Sequence, residues 1–303
     1  MKLAIRTSLL LALAAGLAGA QTVVGRNETT WTVRETLASG QRLRITSPNG
    51  AINIAQGSGS EVEIRVEKVT ERNARIDEIG FIVKKSSEGL VVCAVYSDGD
   101  ECDLERGYRQ EQRSWRDGRR SLRASFTVRM PKGVMLQAET GNGEVSINGA
   151  GSDVNVHTGN GRVLVTGTTG RVQAHTGNGR ITVENANGPV EVTTGNGDVR
   201  VATSTGPVSA RSGNGDIEVS MARVERAAEM SFATGSGRIV LSVPDNFGAE
   251  LEGSTGNGEI SSELPMRVEG RLNPHRIRGT LGGGGERLAV STGNGDIEIR
   301  RVR

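Results

Sequence analysis

Apolar residues recur in pairs, two positions apart, at nine-residue intervals through the C-terminal half of the chain. The pairs are Val145/Ile147, Val154/Val156, Val163/Val165, Val172/Ala174, Ile181/Val183, Val190/Val192, Val199/Val201, Val208/Ala210 and Ile217/Val219. Residues at i and i+2 of a strand point to the same side of a sheet. The spacing therefore predicts short strands separated by turns, each with one apolar face.

A four-residue motif, Thr-Gly-Asn-Gly, marks every second turn of this pattern. It begins at residues 140, 158, 176 and 194, becomes Ser-Gly-Asn-Gly at Ser212, and returns at Thr255 and Thr292. Glycine at a repeated position indicates a positive φ or the close approach of another backbone segment. The predicted structural turn residues are Asn142, Asn160, Asn178, Asn196 and Asn214, with Gly143, Gly161, Gly179, Gly197 and Gly215.

The first five motifs recur with a constant 18-residue period, so each unit contains two short strands. Strands this short are not stable alone, and each unit must bury its valines against its neighbours. We predict an all-β fold, a parallel β-solenoid or β-roll-like stack of 18-residue coils. The alternative is an antiparallel meander packed as a sandwich, because Asn-Gly between alternating apolar residues also favours hairpins. A meander would need a covering layer, and no amphipathic helix lies between residues 144 and 220.

The chain before the repeat has a less regular β pattern. Residues 47–54 resemble a degraded copy of the repeat, and strand-like runs occur at 31–35, 42–46, 61–67, 80–85, 90–96 and 122–130. We divide the chain into a signal segment 1–20, an irregular β region 21–135 with a charged insertion 97–120, and a repeat region 136–303 continuous with it. Insertions at 222–229 and 265–285 are predicted to be loops that project from the stack.

The first twenty residues have the pattern of a secretory signal peptide. Lys2 and Arg6 precede an apolar run from Leu9 to Leu17, followed by small residues up to Ala20. The run is far shorter than the ~20 residues of a transmembrane helix, and no later segment approaches that length. We expect an exported protein without a transmembrane segment, periplasmic, extracellular or at the cell surface. Gln21 offers no cysteine for a lipid anchor.

Cys93 and Cys102 are the two cysteines of the chain. Export places them in an oxidising compartment, where a nearby pair usually closes, and we predict a disulfide at the base of the charged insertion. Tyr108 and Trp115 lie in that insertion among arginines, and we expect it to be exposed and mobile. They form the candidate binding loop, because an exposed aromatic residue among arginines is a common anchor for a partner.

Composition and charge exclude several classes of ligand. The chain has 43 glycines, 3% aromatic residues and a net charge of +2, so it lacks the basic stripe and stacking aromatics of a nucleic-acid-binding protein. His157 and His175, one repeat period apart, are expected to stack on adjacent coils, but Thr193 and Arg211 continue their row without metal ligands. Val199 stands where a calcium-binding β-roll has an oxygen ligand, so a calcium site is not expected. No cofactor or metal is expected.

The segment Phe126-Thr-Val-Arg-Met-Pro-Lys-Gly133, followed by Thr140-Gly-Asn-Gly-Glu-Val-Ser-Ile147 and its repeats, carries a family resemblance. Together these segments resemble the bacterial putative-adhesin family of β-strand-repeat envelope proteins, a domain of unknown function. The resemblance extends from about residue 31 to residue 303. It implies an extracytoplasmic β-solenoid-like domain, while adhesion itself is implied by analogy alone.

We expect a non-catalytic envelope or surface protein, either an adhesin-like binding module or a structural one. The chain has no G-x-S-x-G elbow, HExxH helix or P-loop, and its Gly-x-Gly turns lack the helix of a dinucleotide site. The partner would be an envelope component, a polymer or another protein, and the sequence specifies neither it nor the oligomeric state. The alternative is a carbohydrate-active β-solenoid enzyme, which exposed aromatics and a groove of acidic and basic groups would favour.

Overall fold

The computed structural model describes residues 22–70, 75–110, 122–224, 228–269 and 273–302. The described residues form two large sheets of 14 and 12 strands, a two-stranded hairpin and one 3₁₀ turn at Ile76–Glu78. No helix in these ranges is long and apolar enough to cross a membrane. The predicted signal peptide lies outside the described residues.

The strands fall into three groups along the chain. Those before the repeat are β1 (Val23–Val24), β2 (Thr30–Thr36), β3 (Arg42–Asn49), β4 (Ile52–Gln56), β5 (Glu61–Thr70), β6 (Gly80–Lys85), β7 (Gly89–Val95), β8 (Glu101–Asp103), β9 (Gly107–Arg109) and β10 (Leu122–Met130). Those of the regular repeat are β11 (Met135–Asn142), β12 (Val145–Ala150), β13 (Val154–Asn160), β14 (Val163–Thr168), β15 (Val172–Asn178), β16 (Ile181–Ala186), β17 (Val190–Asn196), β18 (Val199–Thr203), β19 (Val208–Asn214) and β20 (Ile217–Met221). The remainder are β21 (Met230–Ser236), β22 (Ile239–Val243), β23 (Ala249–Asn257), β24 (Ile260–Ser262), β25 (Met266–Val268), β26 (Arg276–Leu281), β27 (Arg287–Asn294) and β28 (Ile297–Arg301).

The regular repeat is a parallel two-sheet coil, and the solenoid prediction is confirmed. Odd-numbered strands β11 to β19 pair side by side in one sheet, which we call sheet A, and even-numbered strands β12 to β20 pair in the other, sheet B. Neighbouring strands are parallel, and each residue pairs with the one a full repeat period later, as in Val163↔Ile181 and Val172↔Val190. The alternative antiparallel meander is wrong for this region, because each strand pairs with the strand one full coil away.

The apolar pairs of the sequence line the interior between the two sheets. Ile181 and Val183 are fully buried, whereas Thr182 between them is partly exposed on the outer side. The same alternation holds in every coil of the regular repeat, so each coil covers the valines of its neighbours and the core is continuous along the repeat. This continuity explains how a chain with few aromatic residues fills its interior.

Residues 42–56 form the first coil of the stack, confirming the resemblance of residues 47–54 to the repeat. Strand β3 pairs in parallel with β11, and β4 pairs in parallel with β12, although strands β5 to β10 intervene in the chain. The intervening chain extends both sheets beyond this coil, through β7, β6 and β1 on sheet A and β10, β5 and β2 on sheet B. Because several of these pairings are antiparallel, they end the solenoid with strands of a different connectivity. We call the chain outside this coil, residues 22–41 and 57–130, the N-terminal cap.

The N-terminal cap has a core with bulkier side chains than the repeat. The ring centroid of Phe81 lies 4.8 Å from that of Trp31 and 6.1 Å from that of Phe126. Beside this cluster, Lys68 points inward and is 3% exposed. Its Nζ donates to the carbonyl oxygens of Ile79 at 2.6 Å and Arg26 at 3.0 Å, which satisfies the buried ammonium group. Burial, reinforced by the positive charge of Arg26, lowers the pKa of Lys68 to about 8.

The stack does not follow chain order at its C-terminal end. In sheet A the order is β21, β27, β23, β26, β25, and in sheet B it is β22, β28, β24. The last coil of the sequence thus lies between the two coils that precede it. The predicted loop at 265–285 is wrong in part, because it contains β25 and β26, which extend sheet A as antiparallel strands. The backbone hydrogen bonds of sheet A continue through them, so they belong to the sheet.

Candidate interaction surface

The Thr-Gly-Asn-Gly turns line one edge of the stack, where sheets A and B meet, and we call this the turn edge. The first residue of each motif is buried and its hydroxyl donates to a glycine carbonyl of the preceding coil. Thr176 Oγ1 donates to Gly161 at 3.1 Å, and Thr194 Oγ1 donates to Gly179 at 2.9 Å. In return, the amide of each fourth residue donates to the carbonyl of the third motif residue in the next coil, as Gly161 does to Asn178 at 2.9 Å. Each turn is therefore bonded to its neighbour from both sides.

The asparagine side chains form a second ladder on the exposed rim of the turn edge. The Nδ2 of Asn160, Asn178, Asn196 and Asn214 each donates to the Oδ1 of the asparagine one coil earlier, at 2.8 to 2.9 Å. The regular ladder begins at Asn142 and stops at Ser236, which stands where the next asparagine would be. Stacked amides satisfy one another along the axis, so this rim is ordered by the same contact in every coil.

The glycines of the motif are required by the close approach of successive turns. A Cβ at Gly161 would overlap the carbonyl oxygen of Gly143, and a Cβ at Gly179 would overlap that of Gly161. Gly179 has in addition a φ of +152°, which side chains rarely adopt. Both explanations offered by the sequence, positive φ and close approach, therefore apply along this edge. The five turn asparagines and the five turn glycines together are structural elements of the turn edge.

Charged side chains on the outer surface pair between adjacent coils. Arg180 donates to Asp198 at 2.8 Å, and Arg200 contacts Glu218 through both Nε and Nη2. These side chains line an open groove of about 190 Å³ at the border of sheet B and the turn edge. Exposed ion pairs of this kind contribute little to stability, and here they place positive and negative side chains side by side on the outer face. The acidic residue Asp198 thus has a partner on the neighbouring coil.

A second open groove of about 350 Å³ follows the opposite edge of the stack. Successive coils contribute glycine and proline to its floor, among them Gly188, Pro189, Gly206 and Pro207. Asp153 lies at one end, where its carboxylate accepts a hydrogen bond from the amide of Arg171 at 2.8 Å. Polar side chains, among them Thr169 and Asn187, complete the lining of this groove.

The two histidines predicted to stack do so on the outer side of sheet A. Their ring centroids are 4.9 Å apart and the rings are 7° from parallel. Burial lowers the pKa of His175, and the neighbouring His157 lowers it further. Thr193 and Arg211 continue the row, as the register of the coils requires. The described residues contain no group of three or more His, Cys, Asp or Glu side chains placed to hold a metal ion.

The start of the charged insertion is a folded hairpin of β8 and β9, joined to β7 by the Cys93–Cys102 disulfide. Both sulfurs are buried with Ile82, Val91 and Val95 in a small cluster outside the main core. A loop is expected at residues 97–110, but residues 101–109 form a hairpin, because the apolar outer face of β6 and β7 supplies a surface on which its strands pack. Many side chains of the segment are exposed, as expected.

The candidate binding-loop residues have different positions relative to this hairpin. Tyr108 is partly buried, and its hydroxyl donates to Asp100 at 2.9 Å. Trp115 lies outside the described residues, as does the rest of the insertion from residue 111. Arg44 fixes the hairpin from below through the carbonyls of Leu104 and Glu105, at 3.0 and 3.1 Å. A binding role for Tyr108 and Trp115 stays a prediction.

The coil architecture and its turn chemistry agree with one protein family. The family model of Toastrack DUF4097 matches residues 108–300, well over half of the chain. The chain belongs to the Toastrack DUF4097 family. The resemblance drawn from the strand before residue 133 and the repeats after it is thereby confirmed.

Solved structures match this Toastrack chain over most of its length but have little sequence identity to it. A putative adhesin from Parabacteroides distasonis is 11% identical with a TM-score of 0.48, and covers 89% of this chain and 96% of its own. A putative lipid binding protein from the same species is 9% identical, with a TM-score of 0.46 and coverage of 90% and 98%. A putative cell adhesion protein from Clostridium sporogenes is 10% identical, with a TM-score of 0.28 and coverage of 90% and 100%. No curated protein matches the chain.

Several residues that hold the Toastrack surface together are missed by sequence reasoning. The pattern identifies the first motif position as part of the turn, but not its hydroxyl as the donor that joins successive coils. Its repetition as threonine or serine is the available signal, because only these two residues combine small size with a hydroxyl donor. Arg44 and Lys68 give no comparable signal, since each is used once and its partners are distant in sequence: backbone carbonyls for Lys68, and backbone carbonyls with the Glu139 carboxylate for Arg44.

Proposed function

We propose that this Toastrack chain is an exported, non-catalytic module of the bacterial envelope or cell surface that contacts an extended partner through its outer faces. The observation that supports the proposal is the pairing of charges and the open grooves on the outer surface of the stack. Several charged side chains pair between adjacent coils, as Arg180 does with Asp198 and Arg200 does with Glu218, and the two grooves of the stack are open. Acid–base chemistry needs convergent groups in a cleft, whereas an alternating polar face suits contact with a polymer or a protein.

Export is supported by the signal-peptide pattern of residues 1–20 and by the disulfide. A buried Cys93–Cys102 pair is typical of oxidising compartments outside the cytoplasm. Periplasm and cell surface are equally compatible with both features. Fractionation of cells that express the full chain tests export: a mature protein starting near Gln21 in the periplasm, surface or medium is expected, and an unprocessed cytoplasmic protein would contradict it.

The carbohydrate-active alternative gains no support from the outer faces. The two large hydrophobic side chains that are most exposed in the described part are Val69 and Val302, and neither is aromatic. Sugar-binding grooves of solenoid enzymes would be expected to present aromatic platforms beside paired carboxylates. Here Glu218 on sheet B is paired with Arg200 instead.

Binding is tested with the purified mature chain and isolated envelope fractions. Cosedimentation should be saturable, and a bulky charge introduced on the contacting face should weaken it. Gln173→Arg on sheet A and Thr182→Arg on sheet B form a matched pair, because both positions face outward in the same coil. Loss with one variant and not the other identifies the face. If both variants and an unrelated protein cosediment to the same extent as the mature chain, the binding is non-specific and the proposal is contradicted. Release of reducing ends from envelope polysaccharide by the mature chain would also contradict it.

A further inference from the structure

The coil formed by β27 and β28 fills a space between two coils that precede it in the chain. The connection of residues 244–248 leads from β22 on one side of this space to β23 on the other. Sequential strands usually lie side by side, so this step leaves room for one coil. The chain fills it only after β25 and β26 have been added. We call the space between β21/β22 and β23/β24 the C-terminal slot.

The C-terminal slot contacts its occupant along both sides. On one side Thr292 Oγ1 donates to Gly237 at 2.9 Å, and on the other Thr255 Oγ1 donates to Gly295 at 2.9 Å. Arg287 spans the slot, with Nη1 2.9 Å from Glu229 and Nη2 2.7 Å from Glu252. The inward side chains Leu288, Val290, Ile297 and Ile299 are at most 1% exposed.

Strands β27 and β28, which occupy the slot, also join strands β23–β26 at the end of the stack to the preceding coil β21/β22. Within the described residues, no strand among β23, β24, β25 and β26 pairs with β21 or β22. The pairing runs through β27 and β28 alone, as in Phe232↔Val290↔Gly253 and Ile239↔Ile297↔Ile260. An empty slot would leave two facing rows of backbone donors and acceptors without partners, a strong drive to capture an extended segment.

The segment that fills the slot is attached through a glycine-rich hinge. Residues 282–285 are all glycine, and a Cβ at Gly283 would meet no atom within 4 Å. The hinge reverses direction from β26 to β27 and passes the start of β23, because these two strands flank β23 in sheet A. The separation to be crossed is two strand spacings, about 9.6 Å.

We propose that the C-terminal slot is a binding site for the segment Arg287–Arg301 of a second copy of this chain, so that two copies exchange their last coils. Every contact made by the segment would be reproduced in the exchanged dimer. Only the hinge would change conformation, and a segment on such a hinge is the usual element of domain swapping. The bound partner is thus a strand–turn–strand segment carrying the same Thr-Gly-Asn-Gly turn.

Hinge length tests the proposal in the full chain. Deletion of residues 282–285 leaves only Glu286 between β26 and β27, a reach of at most about 7.6 Å, which is too short to cross β23, so the segment can reach only another copy. The exchanged dimer should increase several-fold in size-exclusion chromatography after refolding at high protein concentration. Insertion of three glycines at the same place should reduce it. A folded, monomeric deletion variant with a native melting temperature would overturn the proposal.

A crosslink identifies the contact directly and does not depend on the folding of the deletion variant. Ala233 and Ser291 are register partners on the outer side of sheet A. Copies carrying Ala233→Cys and copies carrying Ser291→Cys are mixed, refolded together and oxidised. Disulfide-linked heterodimer is expected, well above the yield from a control mixture of Thr193→Cys and Arg211→Cys copies, whose positions are partners inside the regular repeat. Equal yields from both mixtures would overturn the proposal.

Discussion

The regular repeat and the N-terminal cap use the same two sheets but are stabilised in different ways. In the repeat, each coil makes the same contacts as the next, through a buried hydroxyl, an asparagine amide and one pair of apolar side chains per strand. In the cap, contacts occur once: the Trp31–Phe81–Phe126 cluster, the carbonyl-bound Lys68 and the disulfide-tethered hairpin. The cap is thus stabilised by several different contacts, each of which occurs once, at the end of the repeat.

The difference shows how stability is distributed along the molecule. A coil in the repeat has two equal neighbours, so its free energy is a sum of its own term and two interface terms. A cap residue has particular partners, and its loss should be felt in the cap. Substitutions in the two regions should therefore differ in how far their effects spread as well as in their size.

The largest effect is expected from a charge placed inside the repeat. Ile181→Asp removes a fully buried side chain and buries an unpaired carboxylate, which together should lower the free energy of unfolding by more than about 4 kcal/mol. Thr182→Asp, one residue along and facing outward, should cost less than about 0.5 kcal/mol. Urea unfolding of both variants measures the difference. Equal costs would mean that the apolar pairs do not line a common interior.

A methyl group at the turn edge should rank second. Gly179→Ala places a Cβ against the carbonyl of Gly161 at a φ of +152°, and we expect a loss of about 3 kcal/mol. Gly283→Ala is the matched control, since its Cβ would meet open space. Thermal unfolding monitored by circular dichroism should separate the two clearly. A tolerated Gly179→Ala would show that successive turns can move apart.

Loss of the disulfide should destabilise the cap and spare the repeat. Replacement of Cys93 and Cys102 by alanine releases a loop closed over a sequence separation of 9, which should cost about 2.5 kcal/mol. Limited proteolysis is expected to cut first near the hairpin of β8 and β9. Labelling of both thiols in the unfolded, non-reduced wild-type protein would contradict the bond itself.

A single hydroxyl of the ladder should contribute less. Thr176→Val keeps the shape of a fully buried side chain but removes its bond to the Gly161 carbonyl, and the expected cost is about 1 kcal/mol. Thr182→Val on the outer side of the same coil should be neutral within about 0.5 kcal/mol. Chemical denaturation measures the loss of unfolding free energy in both variants. Equal losses would mean that the hydroxyl ladder does not contribute to stability.

The smallest effect concerns pH and the histidine pair. Because the pKa of His175 in the folded chain lies below its ordinary value of 6.5, the unfolded chain binds more protons as the pH falls. The histidine contribution is therefore fully present above about pH 7 and decreases as the pH falls through 6.5 towards the lower folded pKa. The ring is exposed and solvent screening is strong, so we expect less than about 0.5 kcal/mol. His175→Thr, which copies Thr193 of the next coil, should reduce this dependence in unfolding measured at about pH 7.5 and about pH 5.

The repeat can be predicted from sequence because each local signal agrees with the fold. Val163, Ile181 and Val199 recur at one spacing, glycine marks each turn, and the parallel register follows from the 18-residue period. The turn residues of the candidate surface are identifiable for the same reason. A local pattern that recurs many times predicts the fold even when each single copy is a weak signal.

The remainder depends on contacts that occur once and join distant parts of the chain. Nothing local to Lys68 indicates four carbonyls around it, and nothing local to Arg287 indicates that its coil lies between two earlier ones. The hairpin at 101–109 differs from the loop expected there because its short strands pack on the outer face of β6 and β7, a surface that a two-sided alternation pattern does not reveal. Long-range order of this kind is not encoded in periodicity.

Hydrogen exchange on the Ile181→Asp variant of the full chain tests the central claim most directly, namely that the repeat is stabilised as a series of equal neighbours and the cap is not. Amide protection should fall in β16 and in its neighbours β14 and β18, and progressively less in coils further away. Protection of β6 and β7 beside the disulfide should stay close to that of the wild type. Loss confined to β16, or an equal loss in β6 and β7, would contradict the account.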